Sequence, residues 1–148
     1  MKRDIHLERF YPYPPERVFR ALTDPAAMNG WLMKNDFQPK VGHTFQFRSK
    51  PQGKWNGITD CEVTELDPPR SVAYTWTGKN QDGSTALART VVRWTLTPES
   101  AGTRLVLDHL GFQGFGEIVV SFILGMGWKR MMKSRLAAAI AQVNTSPG

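Results

Sequence analysis

The stretch EIVVSFILGMGWKRMMKSRL, Glu117–Leu136, decides how this sequence folds. Its first half is apolar on almost every side of a helix, and its second half carries Lys129, Arg130 and Lys133. A helix that spans a bilayer needs about 20 mainly apolar residues, whereas runs of about 10–14 are more often core helices. The uncharged run Ile118–Trp128 belongs to the shorter class. We therefore expect no transmembrane segment here.

The same stretch continues into an amphipathic helix. Its apolar positions recur at intervals of three or four residues, which places them in one stripe along the helix. These positions are Trp128, Met132, Leu136, Ala139 and Val143. The neighbouring cations lie mostly off the stripe, as on a solvated helix face, although cations so placed could also touch phosphates. The pattern predicts a long C-terminal helix whose stripe packs against a core.

Five segments upstream of this helix alternate inward and outward residues, which is typical of half-buried strands. Their inward sets are Phe45 and Phe47; Trp55, Cys61 and Val63; Val72, Tyr74 and Trp76; Thr90, Val92, Trp94 and Leu96; and Leu105, Leu107 and His109. Short turns such as Asp67–Arg70 connect the segments, so we expect one antiparallel sheet with a single apolar face. That face needs a cover, and the C-terminal helix is the only element long enough to provide it.

The N-terminal part of the chain predicts one more strand and two short helices. DIHLERFYPYP, Asp4–Pro14, alternates and then meets prolines, as an opening strand should. Pro15 suits a first helical position, where a missing N–H costs nothing. Thr23–Pro25 ends this helix and begins the second, because proline is tolerated only in a first turn. Asp24 can cap that second helix.

Length and charge describe a single domain with a positive surface. The chain has 148 residues, and we assign residues 1–148 to one unit. Its formal net charge is +6. A positive excess favours anionic partners through the summed potential. The cations are dispersed along the chain, however, so we expect no nucleic-acid partner.

The cysteine content and the N-terminal residues indicate where the protein works. The sole cysteine, Cys61, cannot form an internal disulfide, which fits a reducing compartment. Residues 1–10 contain cations but no apolar run of the kind that secretory signals need. We therefore expect a cytoplasmic protein.

Motifs for metal, cofactor or covalent chemistry do not occur in the sequence. The histidines His6, His43 and His109 are scattered, and Cys61 has no partner at metal-ligand spacing. GFQGFGE, Gly111–Glu117, precedes a helix, but its glycine spacing differs from the dinucleotide fingerprint and no βαβ unit surrounds it. No nucleophile-elbow, phosphate-loop or kinase motif is present. The sequence therefore predicts no metal, no cofactor and no catalytic residue.

Several short motifs occur in order along the chain: ERVFRALTDP followed by Trp31, then GHTFQF, ELDPPRSVAYTW, GTRLVLDHLGF, and GW opening a C-terminal helix. Their order and spacing resemble the activator-of-Hsp90-ATPase-homologue-1-like branch of the START-like (SRPBCC, Bet v 1-like) superfamily, over roughly Ile5 to Val143. The resemblance implies an α+β helix-grip fold. In that fold a curved antiparallel sheet wraps around a long C-terminal helix, two short helices follow the first strand, and a cavity lies between sheet and helix.

The leading hypothesis is a binding protein for a small, largely apolar molecule that is lipid-like or aromatic. Apolar burial would supply most of the binding energy, and a few polar groups would fix the orientation of the ligand. The side chains predicted to line the cavity are Phe45, Phe47, Trp55, Tyr74, Trp76, Trp94, Leu107, His109, Trp128 and Met132. His109 is a candidate to orient a polar ligand or to act as a general base. A hydrogen-bonded core histidine is the simpler interpretation, and Tyr74 has the same two interpretations.

Two other functions remain open. The first is an Hsp90-type co-chaperone, which the family name implies, although the eukaryotic activators carry an additional domain. The second is an enzyme of the cyclase, dehydratase or hydrolase kind that uses the same cavity, since START-like relatives include such catalysts. Likeness of fold does not choose between them.

The segment Gly111–Gly127 is predicted to be a movable rim, because glycines bracket an apolar run. One inward stripe cannot bury all of the apolar residues in it, which include Ile118, Val119, Phe122 and Ile123. The surplus must face a ligand, a second subunit or a membrane surface. We expect a homodimer contact or a pocket lid in preference to membrane docking, since the polar face begins only at Lys129.

Overall fold

The computed structural model describes residues 1–143, which form seven strands and four helices. One strand is followed by two short helices, then by six further strands and by two C-terminal helices. In chain order these are β1 (Lys2–Tyr11), α1 (Pro15–Thr23), α2 (Pro25–Trp31), β2 (Lys34–Asn35), β3 (Thr44–Arg48), β4 (Trp55–Asp67), β5 (Ser71–Asn80), β6 (Thr85–Glu99), β7 (Gly102–Gln113), α3 (Gly114–Lys133) and α4 (Arg135–Gln142).

The strands form one antiparallel sheet in the order β1-β7-β6-β5-β4-β3-β2. The order follows the chain except for β1, which pairs with β7. Cross-strand partners such as Tyr74 with Val92, and Val92 with His109, keep the predicted inward residues on one face. α3 covers that face. The predicted α+β helix-grip fold, a curved antiparallel sheet around a C-terminal helix, is confirmed.

Prolines and one aspartate define the two short helices. Pro15 is the first residue of α1, and Pro25 is the first residue of α2. The Asp24 carboxylate accepts from the backbone N–H of Ala27 at 3.4 Å, as an N-cap should. Trp31 donates from Nε1 to a backbone carbonyl of α1 at 2.9 Å, which holds the two helices together. The predicted helix pair after the first strand is therefore confirmed.

The long C-terminal helix is interrupted once. α3 ends at Lys133, and Ser134, with φ −119° and ψ −70°, separates it from α4. The predicted apolar stripe continues across the interruption, where Leu136 and Ile140 are fully buried and Ala139 is half-buried. Upstream of it Trp128 is 1% exposed, as the stripe predicts. Of the helices within residues 1–143, none combines the length and apolar character needed to cross a bilayer.

One short strand has no counterpart in the sequence pattern. β2 consists of Lys34 and Asn35, which pair with Arg48 and Phe47 of β3. Two residues are too few for alternation to show. This strand extends the sheet at the edge opposite to β1.

Candidate ligand-binding interior

Most of the residues predicted to line a cavity lie on the apolar face of the sheet, the face that α3 contacts at β1, β6 and β7. Alternate positions of β3, β5, β6 and β7 face this side, because successive residues of a strand point in opposite directions. Apart from Trp55, the predicted residues are at most 4% exposed. They are therefore shielded from water and pack against one another.

Aromatic rings fill this interior and contact one another mainly edge to face. The Trp128 ring centroid lies 5.4 Å from that of Trp76 and 5.6 Å from that of Trp94. Further along the sheet, the Phe45 centroid lies 5.5 Å from that of Tyr74. Such pairs contribute about 0.5–1.5 kcal/mol each beyond the burial of their area. Trp128 is thus the main aromatic contact of α3 with the sheet.

His109 uses both of its ring nitrogens inside the protein. Trp128 Nε1 donates to His109 Nδ1 at 3.1 Å, so Nδ1 must carry a lone pair. The proton is therefore on Nε2, which lies 2.8 Å from Thr90 Oγ1. Thr90 in turn donates its hydroxyl proton to the carbonyl of Trp76 at 2.7 Å. The chain of bonds links α3 to β7, β6 and β5 and satisfies every member.

Burial keeps the His109 side chain neutral. The ring is fully buried, and desolvation lowers its pKa to about 3. The lone pair that a general base would need is occupied by the indole N–H of Trp128. This geometry is that of a hydrogen-bonded core histidine, the simpler of the two interpretations.

The hydroxyl of Tyr74 accepts one hydrogen bond, and among residues 1–143 it donates none. Its oxygen accepts from Trp94 Nε1 at 3.1 Å. Among residues 1–143 the structure shows no acceptor for the hydroxyl proton itself. Burial raises the pKa of Tyr74, so the group is a neutral phenol. It is an available hydrogen-bond donor surrounded by aromatic rings.

Two predicted residues lie at the borders of the interior. Trp55 is half-buried, donates from Nε1 to the carbonyl of Ile58 at 3.1 Å, and lies over Gly78. Its ring therefore packs over the end of β5, apart from the contacts between the other indoles. Met132 is buried, and its backbone carbonyl accepts from the hydroxyl of Tyr11 at 2.6 Å. That bond ties the end of α3 to β1.

Sequence reasoning missed Phe112, whose ring centroid lies 4.6 Å from that of His109. Simple alternation from Leu107 and His109 would point residue 111 inward and residue 112 outward. Gly111 has φ +97°, and the β1–β7 register shifts nearby, so the phase changes by one residue and Phe112 is buried. A glycine inside a strand was the available signal, because it often marks a bulge.

The first turn of α3 is tied to β6 by Glu117. Its Oε2 accepts from the backbone N–H of Ala88 at 2.8 Å, and its Oε1 accepts from that of Gln113 at 2.9 Å. Residues 111–113 end β7 and residues 114–127 are helical. The segment predicted to be a rim is therefore regular structure, and its movement stays a prediction.

Two surface concavities lie outside the aromatic interior. One of about 500 Å³ lies on the outer side of β3–β5 and includes Asp36, Asp60 and Glu62 in its lining. The other, of about 470 Å³, lies between α2 and α4. Of the predicted residues only Phe45 lines either of them. Within the part of the chain that the structure describes, no group of three or more His, Cys, Asp or Glu residues could hold a metal ion.

The fold and its aromatic interior define the class of protein. A seven-stranded antiparallel sheet that grips a C-terminal helix is the architecture of START-like, Bet v 1-like domains. Within that class, residues 12–141 match the family described as "Activator of Hsp90 ATPase homolog 1-like protein", and the chain belongs to this family. No curated protein matches the sequence at a significant level.

Several solved structures share the fold. Protein MLL2253 from Mesorhizobium loti is 36% identical, with a TM-score of 0.83, over 96% of this chain and 99% of that chain. The AHSA1 protein SPO3351 from Silicibacter pomeroyi is 25% identical, with a TM-score of 0.73, over 94% of this chain and 98% of that one. The Aha1 dimer from Colwellia psychrerythraea, solved in solution, shares the fold at 20% identity and a TM-score of 0.74, over 93% and 96%.

Proposed function

We propose that the protein binds one small, largely apolar molecule, aromatic or lipid-like, between the sheet and α3. The observation that supports this function best is the unused hydroxyl proton of Tyr74 in an interior otherwise built of aromatic rings. A ligand with an apolar body and one hydrogen-bond acceptor matches both features. The ring of Trp94, whose indole already bonds the Tyr74 oxygen, would orient that acceptor.

Binding requires the interior to open, because its side chains are closed to solvent. We propose that the N-terminal half of α3 moves with the segment Gly111–Gly127. Burial of about 300 Å² of apolar ligand surface would contribute about 7 kcal/mol before the costs of association. That gain has to exceed the loss of contacts between Trp128 and its neighbours on the sheet.

The ionisation of the interior supports binding over catalysis. Burial raises the pKa of Cys61 and of Tyr74, and it lowers the pKa of His109. All three groups are therefore neutral near pH 7. A general acid–base pair needs pKa values close to the working pH, so a cyclase, dehydratase or hydrolase activity is the weaker proposal.

The test uses Prodan, a neutral naphthalene probe with one ketone acceptor and an emission that responds to hydrogen bonding. We expect saturable binding that quenches tryptophan fluorescence. Tyr74→Phe should weaken it about three- to tenfold, the value of one hydrogen bond. Tyr13→Phe, a tyrosine outside the predicted site, is the matched control. Unsaturable binding, or equal effects of the two substitutions, would overturn the proposal. Native mass spectrometry of freshly purified protein would identify a molecule that co-purifies.

We also propose that the protein acts in the cytoplasm. Cys61, the single cysteine, is a buried free thiol, and free thiols persist in reducing compartments. Chaperone regulation is the alternative that the family description raises. It would be favoured if the purified protein changed the ATPase rate of an Hsp90-type chaperone and Prodan did not bind.

Self-association is a further alternative, because the Aha1 protein of Colwellia psychrerythraea forms a dimer in solution. In this chain a homodimer would use the exposed apolar residues of α3, which include Phe122 and Ile123. Sedimentation velocity of the wild type tests it directly. A dimer that becomes monomeric in Phe122→Asp would support the homodimer.

A further inference from the structure

The solvent side of α3 is apolar over its first three turns. Five side chains there are between 45% and 75% exposed, and they recur at helical spacing on one side. We call them the outer face of α3; they are Phe115, Val119, Phe122, Ile123 and Met126. From the first to the last of them the helix rises about 16 Å. Exposed apolar patches of this kind mark a contact with another surface.

Cations continue the outer face toward the C-terminal end of the same helix. At 3.6 residues per turn, Lys129, Arg130 and Lys133 lie on the same side as the apolar residues, and all three are exposed. Beside the apolar residues, the Arg3 guanidinium lies 3.8 Å from the centroid of the Phe122 ring. Its Nε is buried and has no hydrogen-bond partner among residues 1–143. The apolar patch thus has cations at its end and at its side.

No free carboxylate of α3 balances these charges. Glu117 is the only acidic residue in the helix, and both of its oxygens accept backbone N–H bonds. It also lies on the sheet-facing side, half-buried. The outer face therefore combines apolar side chains with cations that no free carboxylate of α3 balances.

A second copy of the chain is a poor partner for this face. In an antiparallel pairing of two α3 helices, Lys129 and Arg130 would approach the N-terminus of the other helix, which carries partial positive charge. In a parallel pairing, cations would meet cations. Neither arrangement supplies a carboxylate, and the chain as a whole has a net charge of +6.

An anionic bilayer matches both parts of the face. Hydrocarbon accepts the apolar side chains, and lipid phosphates attract the cations. We propose that the outer face of α3 docks on an anionic phospholipid membrane. The apolar end enters the headgroup region, and Lys129, Arg130 and Lys133 stay at the level of the phosphates. The inference does not depend on a ligand in the aromatic interior.

The test is flotation of the full chain with vesicles of phosphatidylcholine alone or mixed with phosphatidylglycerol. We expect binding to the mixed vesicles only, and weaker binding as salt rises. Lys129→Gln with Arg130→Gln should lower the partition coefficient about 30-fold, because each cation near the surface contributes about fivefold. Lys50→Gln with Lys54→Gln removes two exposed loop cations and is the matched control.

A second pair of variants tests the apolar end. Phe122→Asp should lower binding about tenfold or more, whereas Val41→Asp changes an equally exposed loop residue and should have little effect. Circular dichroism shows whether each variant is folded. The proposal is overturned if the wild type does not float with mixed vesicles or if it binds both vesicle types equally. It is also overturned if the control variants, Lys50→Gln with Lys54→Gln and Val41→Asp, weaken vesicle binding as much as the α3 variants do. A dimer that Phe122→Asp dissociates, without vesicle binding, would assign the face to a second copy.

Discussion

Replacing His109 by glutamine should remove a defined part of the acid sensitivity of this fold. In the native state burial lowers the pKa of His109 to about 3, whereas the ordinary value in an unfolded chain is 6.5. The unfolded chain therefore binds a proton between these values and the native protein does not. The free energy of unfolding must fall as the pH falls through this window.

The size of the effect follows from the same two values. pH 4 lies about 2.5 units below the pKa of the unfolded histidine, and each unit corresponds to about 1.4 kcal/mol. The wild type should therefore lose about 3 kcal/mol of its free energy of unfolding through His109 between pH 7 and pH 4. The carboxylates Asp67, Asp82 and Glu99, whose pKa values are lowered, also lose stabilisation as the pH falls. They are present in both proteins and cancel in the comparison.

Urea unfolding at pH 7 and pH 4 measures this difference. His109→Gln keeps a donor for Thr90 but loses the acceptor for Trp128, so it should be less stable than the wild type at pH 7 by about 1–3 kcal/mol. Its further loss on acidification should be smaller than that of the wild type by about 3 kcal/mol. Equal losses in the two proteins would show that His109 titrates normally and that the interior admits water.

His6 is the matched control with the opposite sign. Hydrogen bonds to Glu8 and Asp108 raise its pKa above the ordinary value. Its contribution is therefore present in acid and is lost as the pH rises through the raised pKa. His6→Gln should leave the acid loss unchanged or make it slightly larger. A smaller acid loss in His6→Gln would contradict the assignment of the two histidines.

Three further measurements test the packing. Leu107→Ala removes a fully buried side chain from β7 and should lower the free energy of unfolding in urea by about 2–5 kcal/mol; a cost below about 1 kcal/mol would contradict a closed interior. Gly102→Ala should cost about 1–3 kcal/mol in the same assay, because the new Cβ would meet the Tyr11 carbonyl and lie 2.6 Å from Phe10 Cζ; an unchanged midpoint would refute that close approach. Cys61 should react with Ellman's reagent only as the protein unfolds, because the thiol is buried and its pKa is raised; rapid labelling of the native protein would show that β4 opens.

The elements of the fold could be predicted because their signals are local. Period-two alternation in segments such as residues 71–77 requires only neighbouring residues, and so do the proline starts of α1 and α2 with Asp24 between them. The candidate site was predictable to the same extent. Phe45 and Phe47, or Leu107 and His109, share a face by spacing alone, and the structure buries all four.

Other features depend on contacts between distant residues. The sequence pattern does not show that His109 accepts from Trp128 or that Thr90 satisfies its other nitrogen, because these bonds join three separate elements. The free donor of Tyr74 is likewise visible only once Trp94 is seen to bond its oxygen. These contacts show that His109, a candidate acid–base residue in the sequence, is a neutral histidine of the core.

From the sequence alone one could predict an antiparallel sheet covered by a C-terminal helix, the order of the elements other than β2, and most of the side chains that share a face, because dihedral preferences and side-chain periodicity act over a few residues. The tertiary structure decided the phase of β7 after Gly111, the interruption of the helix at Ser134 and the burial of Phe112. It also decided that Phe122 faces solvent. These outcomes depend on contacts between residues that are distant in the sequence, which a local pattern does not show.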